Sequence, residues 1–132
     1  MRLFALTFVV VAGCAPPRVP APPAPTLTSE LAAANHANQP LVIEFGATWC
    51  KPCRTFAEQV LPDPRVVAAL RHVRFVQYDI DTPTGAEAMR RLDVTGVPAI
   101  VSLDRAGGVR QRKVGAAPSA DELLAILGAA RD

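Results

Sequence analysis

Two cysteines separated by two residues constrain the fold of this chain more than any other feature. Cys50 and Cys53 follow an apolar run at residues 41–47 and precede a helix-like pattern. Their spacing suits a small disulfide ring that can close and reopen, and it equally suits half of a zinc site. If Cys50 lies where the helix begins, the helix dipole and the free N–H groups lower the pKa of its thiol.

The chain has too few suitably placed metal ligands for a zinc site, which favours a redox role for Cys50 and Cys53. A structural zinc site needs four nitrogen or sulfur ligands, and the chain has three cysteines and two histidines. Cys14 belongs to a targeting segment, and the histidines lie in separate segments without paired spacing. Zinc and a static disulfide are the alternatives, although so short a ring constrains little of the unfolded chain. We expect no cofactor and no metal, only a redox-active disulfide between Cys50 and Cys53.

The amino-terminal segment predicts export and lipid attachment. Residues 1–13 combine a short positive start with an apolar stretch that suits a signal peptide and is shorter than the roughly 20 residues of a membrane span. Residues 11–14, Val-Ala-Gly-Cys, are typical of a bacterial lipobox, which predicts that Cys14 carries a lipid and becomes the first mature residue. An ordinary cleaved signal peptide, with Cys14 as a bystander, is the alternative.

A proline-rich linker is expected between this anchor and one folded domain. Residues 14–26 begin with the lipidated cysteine and contain six prolines, so they should run as an extended spacer that reaches about 35–40 Å. Residues 27–132 are long enough for one hydrophobic core and too short for two. Half of the chain is apolar and its formal net charge is +2. Because no basic run with interleaved aromatic residues is present, we expect no nucleic-acid partner.

The apolar pattern of the domain predicts alternating helices and strands. Thr28 or Ser29, Asp63, Thr84 and Ser119 are the expected helix caps. The predicted helices cover residues 28–36, 53–61, 64–70, 84–92 and 119–127, and the predicted strands cover residues 41–47, 73–80, 98–103 and 109–114. Within the second helix, the apolar residues at 53, 56, 57, 60 and 61 predict one buried face. This order indicates the α/β class with a mixed sheet.

Three motifs in this order resemble those of the thioredoxin superfamily. Residues 49–53, Trp-Cys-Lys-Pro-Cys, match its W-C-x-P-C active site. Residues 95–99, Thr-Gly-Val-Pro-Ala, resemble its second signature, and residues 113–116, Lys-Val-Gly-Ala, are similar to the segment that enters its last helix. Residues 63–66 and the secretory start further resemble the C-terminal domain of DsbD-type interchange proteins. The resemblance implies a thioredoxin-like α/β fold, with a central mixed β-sheet flanked by helices.

The resemblance implies catalytic roles around the cysteine pair. Cys50 is the expected nucleophile, since only a thiolate attacks a disulfide, and Cys53 is the expected resolving thiol. The family carries an acid at the position of Glu44, which implies that Glu44 accepts the proton of Cys53. The alternative for Glu44 is a side chain that points to water at the edge of the strand. Pro98 is expected to be cis and to lie against the cysteines, although an X-Pro bond is usually trans.

Five further residues are expected to bind substrate. Val97 would offer backbone groups to an extended segment of the partner, and Gly115 would leave room for the substrate backbone. Trp49 would cover the site, next to Lys51 and Pro52 of the same motif. Simple packing is the alternative explanation for an aromatic residue at position 49.

Two positions depart from the family pattern. Many thioredoxins place a lysine near the buried acid, where this chain has Gln77, and without a cation Glu44 should be easier to keep protonated. Thioredoxins usually carry an aromatic residue at the position of Gly46. The small glycine predicts a gap near the site.

These implications predict a lipid-anchored thiol–disulfide oxidoreductase of the bacterial cell envelope, acting as a reductase or an electron carrier. Its expected partners are protein thiols or disulfides, an upstream electron donor, and the membrane through the lipid on Cys14. We expect a monomer that faces the periplasm. Ala15 lacks the aspartate that retains lipoproteins at the inner membrane in enteric bacteria, which favours the outer membrane where that sorting rule applies. The alternative function is a non-catalytic adaptor that docks a partner and whose cysteines are structural.

Overall fold

The computed structural model describes residues 24–132. The predicted signal peptide at residues 1–13, the lipidation of Cys14 and most of the predicted linker lie outside the described residues. The order of elements is that of the sequence prediction, and the α/β class with a mixed sheet is confirmed. The helices are α1 (Leu27–His36), α2 (Lys51–Thr55), α3 (Pro64–Leu70), α4 (Pro83–Arg91) and α5 (Ala120–Arg131), and the strands are β1 (Leu41–Gly46), β2 (Arg74–Asp79), β3 (Ala99–Leu103) and β4 (Val109–Val114).

The four strands are ordered β2–β1–β3–β4, and β1 occupies a central position. It pairs with β2 in parallel and with β3 in antiparallel orientation. Since successive side chains of a strand face opposite sides, Leu41, Ile43 and Phe45 enter the core beneath α1 and α4. Val42 enters the second core, beneath α3 and α5. Glu44 follows Val42 on this second face, so a carboxyl group lies near the carboxyl end of a buried strand.

Reciprocal capping bonds define the starts of α1 and α5. The predicted box at Ser119 and Glu122 is present, with each side chain bonded to the other residue's backbone N–H. The predicted cap of α1 is wrong, because Thr26 occupies this position rather than Thr28 or Ser29. Ser29 is instead the third helical residue, and its hydroxyl accepts the Thr26 N–H at 2.9 Å.

Proline at the first helical position defines the starts of α3 and α4. Asp63 caps α3 ahead of Pro64, as predicted. The predicted cap Thr84 is wrong, because Thr82 caps α4 ahead of Pro83. Proline is favoured at the first helical position, where its fixed φ suits the helix and its missing N–H needs no partner. Pro83 therefore makes the helix start two residues earlier than Thr84 would.

A π-helical turn, Phe56–Val60, directly follows α2. The Leu61 N–H reaches back five residues to the Phe56 carbonyl, at 3.1 Å. Cys53 and Phe56 are buried as predicted, whereas Ala57 is exposed, so its place on the buried face is corrected. The wider turn changes which residues face the core, because its rotation per residue differs from that of an α-helix.

Candidate active site

The two cysteines form a disulfide at the start of α2, with their Cα atoms 5.3 Å apart. Cys50 caps the helix, and its Sγ accepts the Cys53 N–H at 3.3 Å. Both residues are buried in a small cluster with Ala47, and Ile80 and Val97 pack against this cluster. Cys50 therefore lies at the helix start, as predicted, where the Cys53 N–H donates to its sulfur.

Lys51 and Pro52 occupy the first two positions of α2, and both are exposed. Proline is tolerated there because the first N–H groups of a helix have no intrahelical partner. Arg54 follows within the same helix, and its Nη1 donates to the Thr48 carbonyl at 2.7 Å. This bond ties the helix to the segment that precedes Cys50.

Trp49 lies next to the cysteines and is 63% exposed, which is rare for so large an apolar side chain. Its indole Nε1–H donates to Asp81 Oδ2 at 2.9 Å. Asp81 follows β2, and its own N–H donates to Asp79 Oδ1 at 2.9 Å. Asp81 was not predictable from the sequence, because a polar residue in a short loop carries no signal of a partner 32 positions away. The bond fixes the exposed ring beside the site.

The segment before β3 brings Val97 and Pro98 to the cysteine pair. The Val97–Pro98 peptide bond is cis, Pro98 is buried, and Val97 packs against the cysteine cluster. The Gly115 N–H donates to the Pro98 carbonyl at 2.9 Å. Gly115 has a φ of 88°, a conformation that glycine adopts without the strain a side chain would cause. The structure thus connects Val97 and Gly115, which were predicted to bind substrate, through Pro98, which was predicted to be catalytic.

Glu44 is buried, with only 4% of its surface exposed. The alternative of a water-facing strand-edge side chain is therefore wrong. Gln77 lies opposite Glu44 in the β1–β2 register, and its Nε2 donates to Glu44 Oε2 at 3.2 Å. Burial raises the pKa of Glu44 above 4.5, and the bond from Gln77 offsets part of this effect. None of the ion pairs among residues 24–132 involves Glu44.

Gly46 ends β1 and leaves the predicted gap next to the acid and the second cysteine. A Cβ atom at this position would lie 2.9 Å from Glu44 Oε1 and 3.5 Å from Cys53 Sγ. The carboxyl oxygen and the sulfur therefore border the same small space. A cleft of about 330 Å³ opens from it, which we call the Gly46 cleft, and Glu44, Gly46, Cys53, Arg54 and Ala57 are among its lining residues.

Two further observations concern other classes of site. Within residues 24–132, no group of three or more His, Cys, Asp or Glu side chains is arranged to hold a metal ion. In the same part of the chain, every helix is too short or too polar to cross a membrane.

The sequence model of the thioredoxin-like family matches residues 23–105. Among curated proteins, thioredoxin H3 of Arabidopsis thaliana is 32% identical over 100 residues, which cover 76% of this chain and 78% of that protein. The thiol:disulfide interchange protein DsbD 2 of Pseudomonas aeruginosa is 33% identical over 89 residues. That match covers 66% of this chain and 15% of the DsbD protein, so the chain corresponds to a small part of this relative's length.

Solved structures agree with these matches. A thioredoxin from Thermus thermophilus superposes with a TM-score of 0.67 and 28% identity, over 79% of this chain and 82% of that one. The oxidised C-terminal domain of DsbD from Neisseria meningitidis superposes with a TM-score of 0.66 and 25% identity, over 79% and 91% of the two chains. These matches confirm the predicted thioredoxin-like fold and the predicted likeness to DsbD domains. The chain belongs to the thioredoxin-like family and, with its C-x-x-C disulfide, is a thiol–disulfide oxidoreductase.

Proposed function

We propose that this protein reduces disulfide bonds of other proteins, or relays electrons between them, by cycling Cys50 and Cys53 between dithiol and disulfide. The observation that carries the proposal is the disulfide at the start of α2, with the buried carboxyl of Glu44 bordering the space next to Cys53. A purely structural cross-link has no need of a proton acceptor beside it. The DsbD and thioredoxin relatives support the same chemistry.

In the proposed reaction, the Cys50 thiolate attacks one sulfur of a substrate disulfide. A mixed disulfide forms, and the other substrate sulfur leaves as a thiolate that takes up a proton. Cys53 then loses its proton and attacks the Cys50 sulfur, which releases the second substrate thiolate. The protein dithiol is oxidised and the substrate disulfide is reduced, so two electrons are transferred. The capping position of Cys50 supports its role as nucleophile, because helix N–H groups stabilise a thiolate.

Glu44 is the proposed acceptor of the Cys53 proton. A general base must lie within reach of the proton, directly or through one water molecule, and works best when its pKa is close to the working pH. Glu44 Oε1 borders the same space as Cys53 Sγ, and burial moves the pKa of Glu44 upwards, in the direction of neutral pH. Both conditions support the proposed role.

The proposed substrate surface surrounds Cys50. An extended segment of the partner would pair with the backbone of Val97, beside Pro98, in a strand-addition contact. Trp49 would contribute a large exposed apolar face, which its bond to Asp81 holds in place. The complete proposed substrate-binding set is Trp49, Lys51, Pro52, Val97 and Gly115.

The direction and place of action are part of the same proposal. Proline directly before the second cysteine and an acid at position 44 are features of the reducing members of the superfamily, which supports a reductase or an electron carrier. The lipobox supports attachment of a monomer to an envelope membrane through Cys14, with the domain facing the periplasm. Ala15 after the lipidated cysteine supports the outer membrane. The substrates would be protein disulfides, and an upstream donor would return electrons to Cys50 and Cys53.

Reduction of insulin by the full-length protein, with dithiothreitol as electron source, tests the activity. The native protein should accelerate reduction and Cys50→Ser should not, and equal rates would contradict the proposal. A titration against a thiol–disulfide buffer tests the direction of flow. A reduction potential near about −270 mV, as in thioredoxin, supports a reductase, whereas one near about −120 mV indicates an oxidant.

A further inference from the structure

We propose that the Gly46 cleft is the route by which Glu44 passes its proton to water, and that the small residues Gly46 and Ala57 keep this route open during the reaction. The inference rests on the proposed reduction of protein disulfides. It adds a second opening to the site, separate from the surface that a substrate protein would cover.

The Gly46 cleft and the proposed substrate surface are formed by different residues. Cys53 and Glu44 line the Gly46 cleft, whereas Cys50, Trp49 and Val97 are not among its lining residues. A partner docked over Trp49 and Val97 would cover the approach to Cys50 and leave the cleft open. The proton of Cys53 must leave the protein at this stage, while the mixed disulfide still holds the partner in place. A path from Glu44 to water that avoids the docking surface would let the proton leave while the partner is still bound.

Two small side chains account for the opening. Any side chain at position 46 would meet Glu44 Oε1 at 2.9 Å and Cys53 Cβ at 3.4 Å, so it would displace the carboxyl group. Ala57 lies across the cleft and is exposed, because the π-helical turn Phe56–Val60 begins just before it. The cleft of about 330 Å³ is large enough for several water molecules, each of which occupies about 30 Å³ in the liquid.

Several charged or titratable groups line the cleft. Besides Glu44 and Cys53, these groups are Arg54 from α2 and Tyr78 and Asp79 from β2. Burial raises the pKa of Glu44, and the hydrogen bond from Gln77 lowers it in part. The hydroxyl of Tyr78 is engaged elsewhere, as it donates to the carbonyl of Pro25 at 3.3 Å.

The proton balance of the proposed step is simple. The Cys53 thiol gives its proton to the Glu44 carboxylate, directly or through one water molecule, and becomes the attacking thiolate. The resulting carboxylic acid transfers the proton to water in the cleft and returns to the carboxylate. The leaving substrate thiolate takes up a proton from the solvent. Glu44 ends the cycle unchanged.

Rescue of Glu44→Gln by imidazole tests the route. The reduced full-length protein is mixed with a protein disulfide, and resolution of the mixed disulfide is followed through the fluorescence of Trp49, the single tryptophan of the chain. Glu44→Gln should slow resolution by at least about tenfold, since general bases typically contribute about 10²-fold or more. Added imidazole, a base small enough to enter the cleft, should raise this rate in proportion to its concentration.

Closing the cleft should abolish the rescue. Ala57→Phe, added to Glu44→Gln, places a large ring across the opening from an exposed position where it does not disturb the core. The matched control is Gly128→Ala, in α5, where a Cβ meets no atom within 4 Å. The double variant Glu44→Gln/Gly128→Ala should keep the full imidazole rescue, and Glu44→Gln/Ala57→Phe should lose it.

Each other outcome overturns the inference. Equal rescue with and without Ala57→Phe would mean that the base reaches Cys53 by another path. If imidazole did not rescue Glu44→Gln, the cleft would not be a route to Cys53. If Glu44→Gln resolved the mixed disulfide at the native rate, Glu44 would not be the proton acceptor. Failure of the proposed function is distinguishable, because the native protein would then fail to reduce the protein disulfide at all.

Discussion

At the scale of single residues, Glu44 has the most unusual environment in the site. A buried carboxylate is costly unless a partner compensates for its lost hydration. Among residues 24–132, the side-chain hydrogen bond to Glu44 comes from Gln77, a neutral amide, and no ion pair there includes Glu44. Burial therefore raises the pKa of Glu44. A pKa closer to the working pH makes a carboxyl group better able both to take up and to release a proton.

Replacement of Glu44 by glutamine should stabilise the protein increasingly as the pH rises. The pKa of Glu44 is raised in the folded state above its ordinary value of 4.5. At a pH between the ordinary pKa and the raised pKa, the folded protein therefore binds more protons than the unfolded chain. The free energy of unfolding of the native protein then falls as the pH rises through this window, and stays lowered above it. Glutamine does not titrate, so the advantage of Glu44→Gln should grow with pH and then level off.

Urea unfolding of both proteins from pH 4 to pH 9 measures this difference. Glu58→Gln, which removes an exposed carboxylate from the π-helical turn, is the surface control. A difference between Glu44→Gln and the native protein that shrinks as the pH rises would contradict the raised pKa.

The two cysteines should respond differently to substitution by serine. Cys50→Ser removes the nucleophile and should abolish disulfide reduction. Cys53→Ser leaves the first attack intact and prevents resolution, so it should accumulate mixed disulfides with partners, visible by mass spectrometry and on non-reducing gels. Full multi-turnover dithiol activity of Cys53→Ser would show that the two roles are assigned wrongly.

At the scale of elements, the hydrophobic pattern predicted the order of helices and strands because each has a distinct period. The strand register was not predictable in detail, yet Gln77 was correctly placed beside Glu44. Helix starts were less certain, since several threonines and serines compete over a few residues and their hydrogen bonds decide between them. The π-helical turn carried no signal, because its apolar residues fit an α-helix equally well. The cleft beside Ala57 depends on this turn and was foreseen only as a gap at Gly46.

The corrected start of α4 can be tested with two neighbouring threonines. The hydroxyl of Thr82 accepts the Gly85 N–H at 3.1 Å, and it donates to the Asp79 carbonyl. Thr82→Ala should therefore reduce the free energy of unfolding by about 1–2 kcal/mol, as expected for loss of a helix cap. Thr84→Ala is the matched control and should change it by no more than about 0.5 kcal/mol. Chemical denaturation measures both, and a larger loss for Thr84→Ala would support the original prediction.

At the scale of the whole molecule, the domain has its own core on each face of the sheet, and the redox site lies at one end of β1. Two of the described residues before α1 contact the domain: Thr26 caps this helix, and the Pro25 carbonyl accepts the hydroxyl of Tyr78. The predicted linker between Cys14 and this point would hold a membrane anchor at up to about 35–40 Å. Anchoring and redox chemistry should therefore be separable.

Cys14→Ser should move the protein from the membrane to the soluble fraction without changing its activity on small disulfides. Each buried CH₂ of an attached lipid contributes about 0.8 kcal/mol to membrane binding, and more than one acyl chain is needed for stable attachment. No helix among residues 24–132 is long and apolar enough to cross a membrane. Fractionation of cell lysates compares this variant with Cys50→Ser, which keeps the lipobox and should stay with the membrane although it is inactive. If Cys14→Ser stayed firmly bound as well, the lipid would not be the anchor. If Cys14→Ser lost both membrane binding and activity on small disulfides, the amino-terminal segment would contribute to the redox site. This result would contradict the prediction that anchoring and redox chemistry are separable.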